Sequence, residues 1–385
     1  MTDRAKIAIL DTSFSSIPLA EAIDLDKSET FVVGSKRDDY LTKFQNIKYV
    51  EADYRDVDLL RKIIKRLGID FIIPGCNDVS YTSYATLNDL NNKHLSVFES
   101  LNNKINFREI CRNSRLLVPE TYTDLDSAMG KNVLIKPCVS FSGQGISHCD
   151  EHSSAKNLCE SIKKAKMVCQ DSNFVIEEFI VGQLFSASIF LRNSQIKTFY
   201  VVKEYCLDNP FSVNWSFIDE GFECEIKKSF FDQLKDVPSL LGVNNGLLHL
   251  QCIKSDSGDI YLIECTLRCP GDLYPYLIEL QTGDNYSAHY LETFIPKDLI
   301  KRKETRKSQN VVVRHTSSNY ENSIFKGFQH NGKKALISFP TLKFGDVNSK
   351  INKYRSGVHF YLENNAPSVS NMIEHQTKSD LCYSF

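Results

Sequence analysis

Residues 246–271 read GLLHLQCIKSDSGDIYLIECTLRCPG and form the most informative stretch of the sequence. Two largely apolar runs, at positions 246–254 and 259–267, flank a turn of sequence SDSG at 255–258. Short apolar runs on either side of such a turn predict a β-hairpin. The polar residues set among the apolar ones then indicate what this hairpin binds.

Polar side chains recur at every second position of the predicted hairpin. Because successive side chains of a strand point to opposite faces, His249 and Gln251 share one face of the first strand. Glu264 and Thr266 share one face of the returning strand, and Arg268 follows just beyond it. If the strand register matches, these groups form one surface with oxygen ligands for Mg²⁺ and a guanidinium for an oxyanion. A polar face turned to water is the alternative for any single residue.

A second stretch ends a predicted buried strand, Val133–Pro137, in a lysine, Lys136. Burying an ammonium group is costly unless an anion meets it. The following loop, residues 140–145, carries Gly143 and Gly145, which allow backbone N–H groups to approach a ligand closely. Together these features predict a phosphate site, although a lysine that extends from a strand end into solvent is the simpler alternative.

A third stretch, residues 174–182, reads FVIEEFIVG. Its pattern predicts a strand that leads into Glu177 and Glu178 and then into an apolar bend. Such a strand end can offer main-chain groups and a carboxylate to the edge of an adenine ring. An ordinary strand end with solvated acidic side chains is the alternative.

Strands and helices alternate over residues 6–73, a pattern that predicts right-handed crossovers and a parallel sheet. Val57 to Leu67 follow helical spacing, and Gly68 stands where a helix typically ends. The segment after the first strand, residues 11–16, contains no GxGxxG, which argues against a dinucleotide site. The strands are expected at residues 6–10, 31–33, 47–50 and 71–73.

These stretches, in this order, resemble the carboxylate–amine ligases of the ATP-grasp superfamily, which include biotin carboxylase, carbamoyl phosphate synthetase and D-alanine–D-alanine ligase. The resemblance runs from residue 1 to about residue 295. It implies a Rossmann-like pre-ATP-grasp domain without a nucleotide site (1–100), then an ATP-grasp domain of two α+β subdomains (101–300). The lid subdomain is expected at about 120–182. Residues 301–385 are expected to form a small β-rich region, with a hairpin about Asn331-Gly332, and a polar, disordered tail.

The resemblance also implies roles for individual residues. Lys136 and Arg268 are expected to be catalytic, with Arg268 steadying an acyl-phosphate and a later oxyanion. One or two Mg²⁺ ions are expected at Glu264, Gln251 and Thr266. The residues expected to bind ATP are Lys104, Lys136, Ser140, Ser142, Gly143, Gly145, Glu177, Glu178, Phe179, Ile180 and His249.

Three residues depart from the family pattern. Gln251 stands where the family usually has its first metal-binding glutamate, and Thr266 replaces an asparagine. Leu184 replaces a glutamate that often meets the ribose. A site with one carboxylate instead of two would hold Mg²⁺ more weakly and depend on the triphosphate for charge.

The reaction that the resemblance implies is ATP-dependent ligation of a small carboxylate to an amine through an acyl-phosphate, with release of ADP and phosphate. An ATP-grasp kinase that releases a phosphorylated product is one alternative. A nucleotide-binding or regulatory protein that has lost catalysis is another, and the three departures favour it. A homodimer would fit the family.

Composition excludes several other classes of protein. The 385 residues carry a formal net charge of −2, so no large basic field is present for nucleic acid or an anionic membrane. No run approaches the roughly 18 apolar residues of a membrane helix, and no signal peptide is evident, which predicts a cytoplasmic protein. The 12 cysteines form no CxxC pair, and Cys138, Cys252, Cys265 and Cys269, which lie in apolar surroundings, are interpreted as reduced, buried side chains.

Overall fold

The computed structural model describes residues 4–88, 93–140, 143–169, 173–234, 237, 241–304, 306–318, 324–328, 335–346 and 355–379. Their strands form a four-stranded parallel sheet, a four-stranded antiparallel sheet and an eight-stranded antiparallel sheet. The predicted α/β domain followed by α+β units is therefore confirmed. No helix in these ranges is both long and apolar enough to cross a bilayer.

The N-terminal sheet is parallel throughout, with strand order β3-β2-β1-β4. Its strands and helices are β1 (Ala5–Leu10), α1 (Ile17–Glu21), β2 (Ser28–Gly34), β3 (Ile47–Glu51), α2 (Val57–Leu67) and β4 (Phe71–Pro74). Helix α2 ends at Gly68, whose φ of 66° is the left-handed conformation that the sequence pattern predicts there. Both faces of the sheet are covered by apolar side chains, as continuous apolar strands require.

Three helices connect this domain to the rest of the chain. They are α3 (Asp78–Asn88), α4 (Lys93–Asn102) and α5 (Lys104–Asn113). Asn103 begins α5, because its side-chain oxygen accepts hydrogen bonds from the first free N–H groups of that helix. The N–H of Lys104 donates to the carbonyl of Cys138, 3.0 Å away, so α5 starts beside the end of the predicted phosphate strand.

The smaller antiparallel sheet has strand order β5-β8-β6-β7 and corresponds in position to the expected lid. It comprises β5 (Thr121–Tyr122), α6 (Leu125–Ala128), β6 (Val133–Pro137), β7 (Ser147–Cys149), α7 (Ala155–Val168) and β8 (Phe174–Glu178). Helix α7 packs on one face of this sheet through Leu158 and Ala165. Lys136 is the next-to-last residue of β6, and its charge acts on Glu264 of the large sheet.

The large sheet has strand order β13-β12-β9-β10-β11-β14-β16-β15. Its strands are β9 (Gly182–Arg192), β10 (Gln195–Tyr205), β11 (Trp215–Phe217), β12 (Gly246–Ser255), β13 (Ile260–Thr266), β14 (Val311–Ser318), β15 (Ile337–Pro340) and β16 (Arg355–Glu363). The helices in this part are α8 (Glu220–Leu234), α9 (Tyr274–Thr282), α10 (Tyr286–Leu291) and α11 (Val369–Ser379). Strand β14 pairs with β11, so the strands of the expected C-terminal region extend this sheet.

Apolar cores cover both faces of the large sheet, and successive side chains of β9 point to one face and then to the other. Phe185, Ala187 and Ile189 pack in the core beneath α8, whereas Ser186 and Ser188 point to the other face, toward α9 and α10. A polar pair therefore lies among apolar neighbours on the face that carries the candidate site.

Two expectations for the C-terminal region have different outcomes. The expected disorder of the tail is wrong for α11, because Met372 of this helix is buried against Trp215 and Phe217. The hairpin predicted about Asn331-Gly332 lies outside the described residues.

Candidate active site

The hairpin of β12 and β13 has the strand register that brings its polar side chains together. His249 pairs with Thr266 and Gln251 pairs with Glu264, so these side chains lie on one surface. A β-bulge follows Gln251, where Ile263 has no partner in the ladder. Bulges of this kind are common beside active sites because they re-aim neighbouring side chains.

A row of polar residues continues from this hairpin across the sheet. Gln251 also pairs with Ser186 of β9, and its Nε2 donates to Oε2 of Glu204 on β10, 3.0 Å away. Glu204 in turn lies opposite Ser216 of β11. From the edge inward the row comprises Glu264, Gln251, Ser186, Glu204, Ser216 and Arg314. Sequence reasoning missed Glu204, although an acidic residue shortly after the apolar run of residues 199–202 is a recognisable signal.

Lys136 ends in a buried ion-pair cluster. Its Nζ lies 2.8 Å from Oε2 of Glu177, and Nε of Arg108 lies 2.7 Å from Oε1 of the same carboxylate. Burial raises the pKa of Glu177, but the two cations outweigh it and lower the pKa to about 2. Arg108 also donates to the carbonyl of Ile263 at the bulge, 2.8 Å away. The sequence offered one indication of Arg108: it lies four residues after Lys104, and residues four apart share one face of a helix such as α5.

Lys104 links this cluster to the hairpin. Its Nζ lies 3.0 Å from Oε1 of Glu264, with the lysine side chain 4% exposed and the glutamate side chain 46% exposed. Desolvation raises the pKa of Glu264, but Lys104, followed by Lys136 and Arg108, outweighs it and holds the pKa below the ordinary value. Lys104 and Arg108, both on α5, pair with Glu264 and Glu177 respectively, and Lys136 shares Glu177 with Arg108, so Lys136 and Glu264 belong to one charged cluster. Nucleotide binding at this cluster stays a prediction.

The glycines of the predicted phosphate loop are structurally required. Gly143 and Gly145 have φ values of 68° and 75°, a region that favours glycine. A Cβ atom on Gly143 would lie 2.5 Å from the carbonyl oxygen of Phe211, and one on Gly145 would lie 2.7 Å from the Pro137 ring. Ser140 is half-buried at the start of this loop, and Ser142 lies outside the described residues.

The predicted adenine segment is already engaged in the fold. The N–H of Glu178 donates to the carbonyl of Glu120, and that of Phe179 donates to the carbonyl of Asn132, each at 2.9 Å. Ile180 is buried just beyond them. Since the Glu177 carboxylate belongs to the ion-pair cluster, a contact of this segment with adenine stays a prediction that depends on the remaining main-chain groups.

Arg268 is held by a residue of the N-terminal domain. Its Nε lies 2.6 Å from Oδ1 of Asp78, and its Nη1 donates to the carbonyl of Cys269, 3.2 Å away. Asp78 is the first residue of α3, and sequence reasoning missed it because it lies 190 residues from Arg268. The backbone N–H of Arg268 donates to Oγ1 of Thr266 at 3.4 Å.

His249 is neutral in this environment. Burial, followed by the nearby guanidinium groups of Arg268 and Arg314, lowers the pKa of the imidazole to about 3. Its Nδ1 lies 2.9 Å from the Oγ of Ser188. An uncharged imidazole beside two guanidinium groups leaves the positive charge of this side of the site to the arginines.

A second group of cations surrounds the loop after Arg268. Arg314 is 5% exposed, and its Nη1 donates to the carbonyl of Asp272, 3.2 Å away, while Arg355 pairs with the Asp272 carboxylate. Asp272 and Leu273 have φ values of 54° and 55°, an uncommon conformation for two consecutive residues other than glycine. Strain of this kind is concentrated at binding and catalytic loops.

The family model of the ATP-grasp domain matches residues 129–274, which contain strands β6, β7 and β8 of the smaller sheet, the polar row from Glu264 to Ser216, and Arg268. Over these residues the chain is similar to the ATP-grasp domain. Solved structures agree with this at the level of the fold. No curated protein sequence matches the chain.

Three solved structures illustrate the likeness of the fold. An L-amino acid ligase from Bacillus licheniformis is 14% identical, with 97% of this chain and 96% of the other covered and a TM-score of 0.73. An N5-carboxyaminoimidazole ribonucleotide synthetase from Thermotoga maritima is 15% identical, with 98% and 99% covered and a TM-score of 0.70. A biotin carboxylase domain dimer from Hydrogenobacter thermophilus, in complex with MgADP, is 11% identical, with 97% and 90% covered and a TM-score of 0.72.

The charged residues of the candidate site suit a magnesium nucleotide. Two buried lysines and a buried arginine face only two carboxylates, so the cluster has an excess positive charge that phosphate oxygens would balance. Within the described ranges, no group of three His, Cys, Asp or Glu side chains could hold a metal ion. A divalent ion would therefore need phosphate oxygens in addition to Glu264, Gln251 and Thr266.

Proposed function

We propose that the protein is an ATP-dependent carboxylate–amine ligase that works through an acyl-phosphate and releases ADP and phosphate. The observation that carries this proposal is the excess positive charge around Lys104 and Lys136, two lysines that are each 4% exposed. Glu264 and Glu177 balance two of the three cations in this cluster, Lys104, Lys136 and Arg108, and phosphate oxygens of a nucleotide can balance the third. The ligases and synthetases with a similar fold support the reaction class.

In this mechanism Lys104 and Lys136 bind the phosphates, and the loop at Gly143–Gly145 closes over them. Glu264 and Gln251 would hold Mg²⁺, which when bound neutralises charge on the phosphate oxygens. The substrate carboxylate attacks the γ-phosphoryl group, so that a C–O–P linkage forms and the bond to ADP breaks. The protein contributes position and exclusion of water rather than a covalent intermediate.

Arg268 is suited to the second step, in which an amine attacks the acyl carbon and phosphate leaves. A guanidinium has five N–H groups, and Arg268 directs three of them to Asp78 and to the Cys269 carbonyl. The remaining two can donate to the oxyanion of the tetrahedral intermediate. Arg314, buried nearby, is a further candidate for binding a substrate carboxylate.

The test is coupled measurement of ADP and phosphate release over a matrix of carboxylic acids, amino acids and amines. Release of both products only when a carboxylate and an amine are present supports ligation. Lys136→Ala should abolish ADP formation, whereas Lys156→Ala, an exposed lysine on α7, serves as the matched control and should not. Turnover that persists in Lys136→Ala would remove Lys136 from the mechanism.

A second function is favoured by the three departures from the family pattern, at Gln251, Thr266 and Leu184. A protein that binds the nucleotide without catalysis would show ATP-dependent thermal stabilisation and no ADP release with any substrate pair. ADP formation without phosphate would instead indicate a kinase that releases a phosphorylated product. Measuring ADP and phosphate release together with thermal stabilisation therefore distinguishes the ligase, the kinase and the non-catalytic nucleotide-binding protein.

The cytoplasmic location and the homodimer are also proposals. One protein of similar fold is a domain dimer, which supports the second of them. Sedimentation of the full chain measures the oligomeric state directly, and a monomer at micromolar concentration would contradict a stable homodimer.

A further inference from the structure

The large sheet supplies a carboxylate beside Gln251 from a different strand. Gln251 lies on β12 and Glu204 on β10, with β9 between them in the sheet. The Nε2 atom of Gln251 nevertheless donates to Oε2 of Glu204 over 3.0 Å. The two residues are 47 positions apart in sequence, so only the strand order brings them together.

Glu204 is fixed in place from several sides. It is 5% exposed, and Ser186 of the intervening strand donates a hydrogen bond to it. The Ser186 hydroxyl is itself 2.9 Å from the hydroxyl of Tyr274, at the start of α9. A buried carboxylate held in this way cannot turn aside, so the amide of Gln251 must adapt to it.

The chemistry of the two groups fixes the orientation of the amide. In the fold the Glu204 carboxyl group accepts hydrogen bonds from Gln251 and Ser186, whereas an amide has a donor end and an acceptor end. The NH₂ end of Gln251 therefore faces Glu204, and the carbonyl oxygen Oε1 is the end left for other contacts. Glu264 lies directly opposite Gln251 in the ladder, so a cation at this hairpin would meet that oxygen. With the amide reversed, it would meet an NH₂ group and be repelled.

We propose that Glu204 is a positioning residue that orients the Gln251 amide so that Oε1, and not the NH₂ group, faces the divalent cation of the nucleotide site. This proposal rests on the proposed function only in requiring a magnesium nucleotide at the hairpin. The role also explains how the chain accommodates Gln251 at a position where the family usually has a metal-binding glutamate. Glu204 supplies a carboxyl group that contacts Gln251 instead of the metal ion.

Three variants of the full chain test this role: Glu204→Gln, Gln251→Glu and the double variant that carries both changes. The affinity for Mn²⁺ in the presence of saturating ADP is measured by electron paramagnetic resonance of the free ion, which requires no turnover. Melting temperatures without metal are recorded in parallel. Glu279→Gln, a change at a glutamate of α9 that accepts a hydrogen bond from Ser287, is the matched control.

Glu204→Gln should lower Mn²⁺ affinity roughly tenfold, as the loss of groups that orient metal ligands typically does. Gln251→Glu should lower the melting temperature without metal, because it sets two carboxylates against one another. The double variant should restore both quantities, because the amide at position 204 then donates to the carboxylate at position 251. Glu279→Gln should leave Mn²⁺ affinity unchanged.

Two results would overturn the proposal, and they differ from failure of the proposed function. Unchanged Mn²⁺ affinity in Glu204→Gln, or effects in the double variant that merely add, would remove the positioning role while leaving nucleotide binding intact. ADP binding by the unmodified protein that does not depend on a divalent ion would refute both. Rescue in the double variant without any ligase turnover would support the positioning role and refute only the proposed reaction.

Discussion

Replacing Arg108 by methionine tests the ion-pair cluster that joins the lid sheet to the large sheet. The change removes the charge but keeps most of the volume, and it leaves the buried Glu177 with Lys136 alone. The pKa of Glu177 is lowered from its ordinary value of 4.5 to about 2. That difference corresponds to about 3 kcal/mol of folding free energy, in line with the roughly 3–5 kcal/mol lost on breaking other buried pairs.

The sign of the pH dependence follows from the direction of the pKa change. A carboxylate with a lowered pKa stabilises the folded state above its unfolded pKa, and this contribution is lost as the pH falls through the folded value. The unmodified protein should therefore lose about 3 kcal/mol from Glu177 between about pH 5 and pH 2. Arg108→Met, in which the pKa lies closer to 4.5, should lose less over the same range because less stabilisation is present at neutral pH.

Urea unfolding followed by tryptophan fluorescence measures both effects. The single tryptophan, Trp215, is buried in β11 of the large sheet and so reports on the folding of that sheet. The control is Arg112→Met, one turn farther along α5, where an exposed guanidinium donates to Thr121. Surface changes of this kind typically alter stability by less than about 0.5 kcal/mol. If Arg108→Met is no more destabilising than this control, the cluster does not stabilise the fold as argued.

Three further changes address the site itself. Gly143→Ala should weaken ADP binding roughly tenfold by calorimetry, or about 1.4 kcal/mol, since a Cβ atom there would lie 2.5 Å from the carbonyl oxygen of Phe211 and displace the loop. Gly130→Ala has a similar φ but open space around it, and should leave ADP binding unchanged. Asp78→Asn should lower kcat with little change in ADP affinity, because Arg268 loses its orientation. An unchanged kcat would show that Asp78 has no such role. His249→Asn should keep the shape of the rate profile between pH 5 and 8, since the pKa of the imidazole is about 3, and loss of an inflection near pH 6.5 would contradict this.

Local patterns were sufficient for the secondary structure and for part of the site. Period-two alternation placed His249 and Gln251 on one face of a strand, and the observed register brings Thr266 and Glu264 opposite them. Helical spacing and a terminal glycine were likewise sufficient for α2, which ends at Gly68. Each of these features depends on residues within about one element of each other, where backbone geometry alone relates position to face.

Local sequence patterns could not predict contacts between elements that are distant in the sequence. Arg108 and Glu177 are 69 positions apart, and Asp78 and Arg268 are 190 apart. Alternation along a strand tells which face a side chain occupies but not which strand lies beside it. The expected disorder of the tail failed for the same reason, because Met372 finds its apolar partners on strands of the large sheet.

The amino-acid order therefore specified the kinds of element, their polar faces and the glycine loop near Lys136, all of which follow from backbone sterics and periodicity. Strand order is a property of the folded chain, set by the burial of apolar faces against each other. It placed Glu204 against Gln251 and joined Lys104 to Glu264, and so converted separate polar residues into one charged site.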